Sequence, residues 1–125
     1  MSQPPLPATI GVDIGSVNVK VCLLDGDAGP RHAVVAHEGD LGAALDEAFS
    51  RVDLTRSAAP LAMATGGTGR QRLAIPDLIA PLAIETALAA KGLRPRAVVS
   101  MGGEDLVVYV LDREGRIQTC YAGNK

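Results

Sequence analysis

A carboxylate closes the first apolar run of the chain, and a glycine and a serine follow it at once. Residues 11–25 read Gly-Val-Asp-Ile-Gly-Ser-Val-Asn-Val-Lys-Val-Cys-Leu-Leu-Asp. An apolar strand ends near Asp13, Gly15-Ser16 makes a tight turn, and a second alternating strand carries Asn18 and Lys20. Such a hairpin can hold a phosphate chain. Glycine lets the backbone come close, so N–H groups at the turn can face phosphate oxygens. Asp13 at the strand end is placed to hold the hydrated magnesium that accompanies nucleotide phosphates. It is the candidate catalytic and metal residue, with Gly15, Ser16, Asn18 and Lys20 as candidates for binding the phosphates.

The strands needed to position these groups follow from alternation. Side chains of a strand point to opposite faces in turn. Ile10, Val12 and Ile14 share one face, and Thr9, Gly11 and Asp13 the other. On the second strand Val17, Val19, Val21 and Leu23 oppose Asn18, Lys20 and Cys22. Asp13, Asn18 and Lys20 can therefore converge on one side. A surface hairpin with an ordinary polar face has the same pattern, and this stretch alone leaves both readings open.

A second copy bears on that choice. Residues 99–112 read Val-Ser-Met-Gly-Gly-Glu-Asp-Leu-Val-Val-Tyr-Val-Leu-Asp and align on the first hairpin without gaps. Gly15 meets Gly102, Val21 meets Val108 and Asp25 meets Asp112, at one offset (102 − 15 = 87 and 112 − 25 = 87). Two Gly-turn hairpins in one short chain point to a duplicated domain with a ligand between the copies. The alternative is that half-buried hairpins resemble one another.

Composition narrows the function classes. The chain has 125 residues, enough for one small domain or one and a part. Residues are 47% apolar, but aromatics amount to one Phe and two Tyr. That palette suits an α/β nucleotide-binding domain and not an aromatic platform for single-stranded nucleic acid. A net charge of −2 with scattered basic residues disfavours nucleic-acid and anionic-membrane surfaces. No secretory signal or apolar run of transmembrane length is visible. Cys22 and Cys120 fall in expected strands without a C-x-x-C pair and read as buried free thiols of a cytoplasmic protein.

Along the chain, residues 1–7 are polar and proline-rich and read as a flexible tail. Strands are expected at about 8–14, 17–25 and 31–37, with a turn at 26–30. Asp40 reads as a helix N-cap, and Leu41, Ala44, Leu45, Ala48, Phe49 and Val52 follow at helical spacing. Residues 61–64 read as a buried strand. The loop Thr65-Gly66-Gly67-Thr68-Gly69-Arg70 follows it, where ligands gather in α/β folds, and Arg70 can meet a phosphate or a carboxylate. It lacks the Gly-Lys-Ser/Thr of a P-loop. A helix is expected at about 81–91, with Pro81 in its first turn, Gly92 after its end, and Ile84, Ala87, Leu88 and Lys91 on one stripe. Strands follow at 97–101, to 111, and at 116–121. Three final strands without covering helices imply either the start of a second unit, completed by further chain or a partner, or strands that join the first sheet.

At these residues the sequence resembles the actin/Hsp70/sugar-kinase superfamily. More narrowly, it is similar to the ATPase activators of 2-hydroxyacyl-CoA dehydratases and the ATP-driven subunits of benzoyl-CoA reductase. Gly11–Asp25 resembles the first phosphate motif, Ala64–Arg70 the Ala-Thr-Gly-Tyr-Gly-Arg loop, and Val99–Asp105 the second phosphate motif, Ile-Asp-Ile-Gly-Gly-Gln-Asp. Gly123-Asn124-Lys125 resembles the Asn-Asp-Lys that precedes a family cysteine. The resemblance implies a ribonuclease H-like, actin-like ATPase α/β domain with a mixed sheet in β-β-β-α-β-α order, followed by the first strands of a second similar domain. Residues 8–95 would form the first half and 96–125 the incomplete second. It implies a cytoplasmic homodimer that binds MgATP, bridges its subunits with a 4Fe–4S cluster, and drives an electron to a partner acting on a CoA thioester. Asp13, Gly15, Ser16 and Lys20 take the first phosphate role, and Gly102, Gly103 and Asp105 the second.

Departures from the family are specific. Ser100 stands in place of the first Asp of the second motif, and Glu104 in place of Gln. The 66–69 loop has one extra residue and lacks the family Tyr, and no His stands near Ile84-Glu85. Neither cysteine matches a cluster ligand, so no cluster is expected on this chain. The expected function is the N-terminal nucleotide-binding part of such an activator. The alternatives are a divergent, non-hydrolysing nucleotide-binding or interaction module, and a sugar- or acetate-kinase-like fragment.

Overall fold

A computed structural model describes residues 6–26, 28–54 and 60–123. Residues 1–5 of the expected tail, Asp27 of the expected turn, and Asn124-Lys125 of the closing motif lie outside the described residues. The chain divides into two compact units, Met1–Asp77 and Leu78–Lys125.

Alternation builds the first unit. Strands β1 (Thr9–Ile14), β2 (Asn18–Asp25), β3 (Ala28–Ala36) and β4 (Leu61–Gly66) form a sheet in the order β3-β2-β1-β4. The β1–β2 and β2–β3 pairs are antiparallel, and β4 lies parallel to β1. Helix α1 (Leu41–Val52) joins β3 to β4 in sequence, which satisfies the long connection that parallel β4 requires. Its first turn is capped by Asp40, whose carboxylate accepts from the Ala43 N–H at 3.0 Å. Ala44, Leu45, Ala48 and Val52 of α1 are buried in one core with Ile10, Val12, Ile14, Val19, Val21, Leu23, Ala33 and Val35. These are the apolar faces that alternation and helical spacing select.

Three local expectations change. Val17 does not share the buried face, because β2 begins at Asn18 and Val17 is exposed in the turn. The 26–30 turn is shorter, since β3 already begins at Ala28 and includes Pro30. That proline is accommodated because β3 is an edge strand. β4 is not buried on both faces: Ala64 is inside, whereas Leu61 and Met63 are exposed.

The second unit starts with helix α2 (Ala80–Ala90), with Pro81 in its first turn. Its end closes as expected at Gly92, which lies at φ +65. The Leu93 N–H reaches the Leu88 carbonyl at 2.9 Å and the Gly92 N–H the Ala89 carbonyl at 3.1 Å, a Schellman pair. The expected stripe is not a buried face. No α2 residue is buried, and Ala87 and Lys91 are exposed. Strands β5 (Ala97–Met101), β6 (Leu106–Leu111) and β7 (Ile117–Gly123) form an antiparallel sheet in the order β5-β6-β7, separate from the first sheet. Tyr109 and Leu111 are its buried residues. Glu85 ties helix to sheet by accepting the Ile117 N–H at 2.6 Å. The two cysteines are free but not buried: Cys22 is half-buried and Cys120 exposed.

Candidate phosphate-binding site

The β1–β2 register sets Asp13 directly opposite Lys20. Lys20 Nζ lies 3.0 Å from Asp13 Oδ2, so these two candidates meet as alternation predicts. Asn18 joins them through its backbone: its carbonyl accepts the Gly15 N–H at 2.9 Å and closes the turn. A Cβ at Gly15 would lie 2.9 Å from that carbonyl oxygen, closer than side-chain carbons come to backbone, which explains glycine here. The Gly15 amide is thereby spent inside the turn. The amides of Ser16 and Val17, both exposed, are the ones left to meet an anion.

β4 supplies a third member. Its parallel register pairs Thr65 with Asp13, so Lys20, Asp13 and Thr65 form one row across β2, β1 and β4 on the face away from the core. The Thr65 Oγ1 is buried and has no hydrogen-bond partner. A buried hydroxyl left unpaired costs free energy, so its place beside a carboxylate fits a water or ligand atom. Gly66 continues the close approach. It adopts φ +101, and a Cβ there would overlap the Ile14 carbonyl and the Asp13 carboxylate. The Gly67 N–H then donates to the Ile14 carbonyl at 2.9 Å.

Arg70 does not face this row as a free cation. Its Nε donates to Asp77 Oδ2 at 2.8 Å, and its Nη1 to the carbonyls of Gly66 at 3.2 Å and Gly67 at 3.1 Å. Its partners are groups of the chain itself. It staples the loop after β4, whose Thr68–Arg72 segment is a short 3-10 helix.

His37 was not among the candidates, yet it touches the turn. Its Nε2 is 3.1 Å from the Gly15 carbonyl and its N–H donates to the Val17 carbonyl at 3.0 Å. Its separation from Gly15, 22 positions along the chain, left no local signal.

The second hairpin repeats the first in its hydrogen bonding. The Gly102 N–H donates to the Asp105 carbonyl at 2.8 Å, the counterpart of Gly15 to Asn18 at the same offset (15 + 87 = 102, 18 + 87 = 105). The positions equivalent to Asp13 and Lys20 are Ser100 and Val107 (13 + 87 = 100, 20 + 87 = 107), and these are paired as well. The polar pair is thus absent from the second copy, although the turn is kept. Gly103, Glu104 and Asp105 are exposed. Among the described residues, no three His, Cys, Asp or Glu side chains cluster as metal ligands. A magnesium ion that keeps most of its water and is held through one carboxylate and phosphate oxygens fits the Asp13–Thr65 row; a self-contained protein cage does not.

No family model and no curated protein matches the sequence. Solved structures do match. Component A of (R)-2-hydroxyglutaryl-CoA dehydratase from Acidaminococcus fermentans superposes with a TM-score of 0.69 at 20% identity, over 96% of this chain and 48% of that one. The activator of 2-hydroxyisocaproyl-CoA dehydratase from Clostridium difficile, with bound ADPNP, gives 0.71 at 22% identity, over 94% of this chain and 46% of that one. The ethanolamine utilization protein EutJ from Carboxydothermus hydrogenoformans gives 0.67 at 18% identity, over 99% of this chain and 54% of that one. The chain shares the fold of these proteins, a mixed α/β arrangement with a further antiparallel sheet, and spans about half their length. Among the described residues no helix is long and apolar enough to cross a membrane.

Proposed function

We propose that this chain is the N-terminal nucleotide-binding part of an ATPase activator, the ATP-driven electron-donor component of a CoA-thioester dehydratase or reductase. The observation that carries the reading is the Gly15–Asn18 turn beside the Asp13–Lys20 pair, echoed at Gly102–Asp105. The shared fold with a dehydratase activator that binds ADPNP supports it.

In this reading the nucleotide is substrate. The free amides of Ser16 and Val17 meet phosphate oxygens, and Lys20 turns from Asp13 to neutralise their charge. Asp13, with the Thr65 hydroxyl beside it, would hold hydrated magnesium once Lys20 is drawn to the phosphates. Bound magnesium supplies charge neutralisation on the phosphates. Gly102, Gly103 and Asp105 form the second phosphate turn. In the longer protein the reading includes a cytoplasmic homodimer and a partner dehydratase or reductase. The two free cysteines lie on β2 and β7 with no clustered partners among the described residues, which does not fit an iron–sulfur cluster, and no electron step is assigned to this chain.

A second reading is a nucleotide-binding module that does not hydrolyse. The Ser100–Val107 pair favours it, because a hydroxyl and an isopropyl group stand where the first hairpin has a carboxylate and an ammonium. Calorimetric titration with MgADPNP, with phosphate release from MgATP, tests both. Binding lost in Asp13→Ala together with turnover supports the ATPase. Binding without turnover supports the second reading, and no binding by the chain or by a longer form of it overturns both.

A further inference from the structure

We infer that His37, as its neutral Nε2–H tautomer, is a positioning residue that holds the Gly15–Val17 turn with the Ser16 amide aimed outward for a phosphate. This deepens the nucleotide-binding proposal and rests on it.

Three bonds fix the ring and its backbone. The Gly39 N–H donates to His37 Nδ1 at 3.2 Å, so Nδ1 is an acceptor and carries no proton. The proton of the neutral ring is then on Nε2, which lies 3.1 Å from the Gly15 carbonyl and donates to it. The His37 backbone N–H takes the Val17 carbonyl at 3.0 Å. The carbonyls at both ends of the turn are therefore held by one residue.

Peptide planarity converts that grip into orientation. All described peptides are trans, and in a trans peptide the C=O and N–H point in opposite directions. Holding the Gly15 carbonyl toward His37 aims the Ser16 N–H away from it. The Gly15 N–H is already bonded to Asn18, so Ser16 is the first donor the turn can offer. The His37 backbone is itself anchored to a rigid element. The His37 carbonyl accepts the Asp40 N–H at 2.6 Å, and Asp40 caps α1. Between them Glu38 at φ +46 and Gly39 at φ +86 make the tight bend that brings the Gly39 N–H back to the ring.

The test uses the full 15N-labelled chain. Long-range 1H–15N spectra should show the Nε2–H tautomer for His37. His37→Ala should weaken MgADPNP about tenfold, the scale of one lost positioning hydrogen bond, and broaden the Ser16 and Val17 amide signals without ligand. His37→Gln, whose amide nitrogen can stand in for Nε2, should restore most of the affinity. An Nδ1–H tautomer, or unchanged affinity and sharp turn amides in His37→Ala, overturns the inference. If the unmodified chain binds no MgADPNP, the phosphate reading fails. The turn amides of His37→Ala then still show whether His37 orders the turn.

Discussion

Lys20 holds its ammonium 3.0 Å from the Asp13 carboxylate across the β1–β2 ladder, at the strand ends where the chain turns through Gly15. The two side chains are 51% and 38% exposed, so the pair contributes about 1 kcal/mol or less to stability. Its weight falls on ligand binding. Lys20→Ala is expected to change the urea-unfolding free energy by less than about 1 kcal/mol and to weaken MgADPNP by about tenfold or more. Equal affinity in the variant would remove Lys20 from the site.

Gly66 is hemmed in by the Ile14 backbone as well as by the Asp13 carboxylate. Its φ of +101 and the overlap of any Cβ with the Ile14 carbonyl predict that Gly66→Ala costs about 2–4 kcal/mol. Gly11, two strand positions before Asp13, has nothing within 4 Å of a built Cβ. Gly11→Ala is expected to stay within about 0.5 kcal/mol. Urea unfolding of both variants checks the contrast.

Arg70 makes three bonds from one planar fork, to Asp77, Gly66 and Gly67. A lysine cannot match that geometry. Arg70→Lys is expected to lose about 1–2 kcal/mol, and amide exchange at Gly66 and Gly67 should speed up. Protection unchanged in Arg70→Lys would mean that the guanidinium does not staple the loop.

Ser100 tests the second hairpin. Ser100→Asp places a carboxylate at the counterpart of Asp13. If this carboxylate is what the second phosphate turn lacks, phosphate release from MgATP should rise several-fold in a form that binds nucleotide. No rise would favour the non-hydrolysing reading.

Tyr109 carries the pH prediction. Burial raises its phenol pKa, and the neighbouring Cys120 adds to the shift. A proton held more tightly in the folded state gives stability that is complete below the unfolded value of about 10 and is lost as pH rises through the folded value. Stability should therefore fall above about pH 10, and less steeply in Tyr109→Phe. Thermal unfolding across that range reads it, and identical slopes would contradict it.

By itself the sequence determined what period and local chemistry can encode. The alternation through β1 and β2 chose the buried face from Ile10 to Leu23, helical spacing chose the face of α1, and Asp40, Pro81 and Gly92 marked helix ends. The recurrence at 87 positions identified two turns of one kind, and their Gly15–Asn18 and Gly102–Asp105 bonds agree. The periods, the caps and each turn lie within a few residues, where backbone geometry links them directly, and the recurrence is a comparison of two such local patterns. Only the tertiary structure decided the rest. Thr65 stands beside Asp13 because β4 returns parallel to β1 in one register, Arg70 finds Asp77, and His37 reaches Gly15 from the end of β3. The strand start that puts Val17 in the turn and the edge position that admits Pro30 also depend on pairing. Each is set by where the chain comes back, and a contact of that kind leaves no period in the residues that make it.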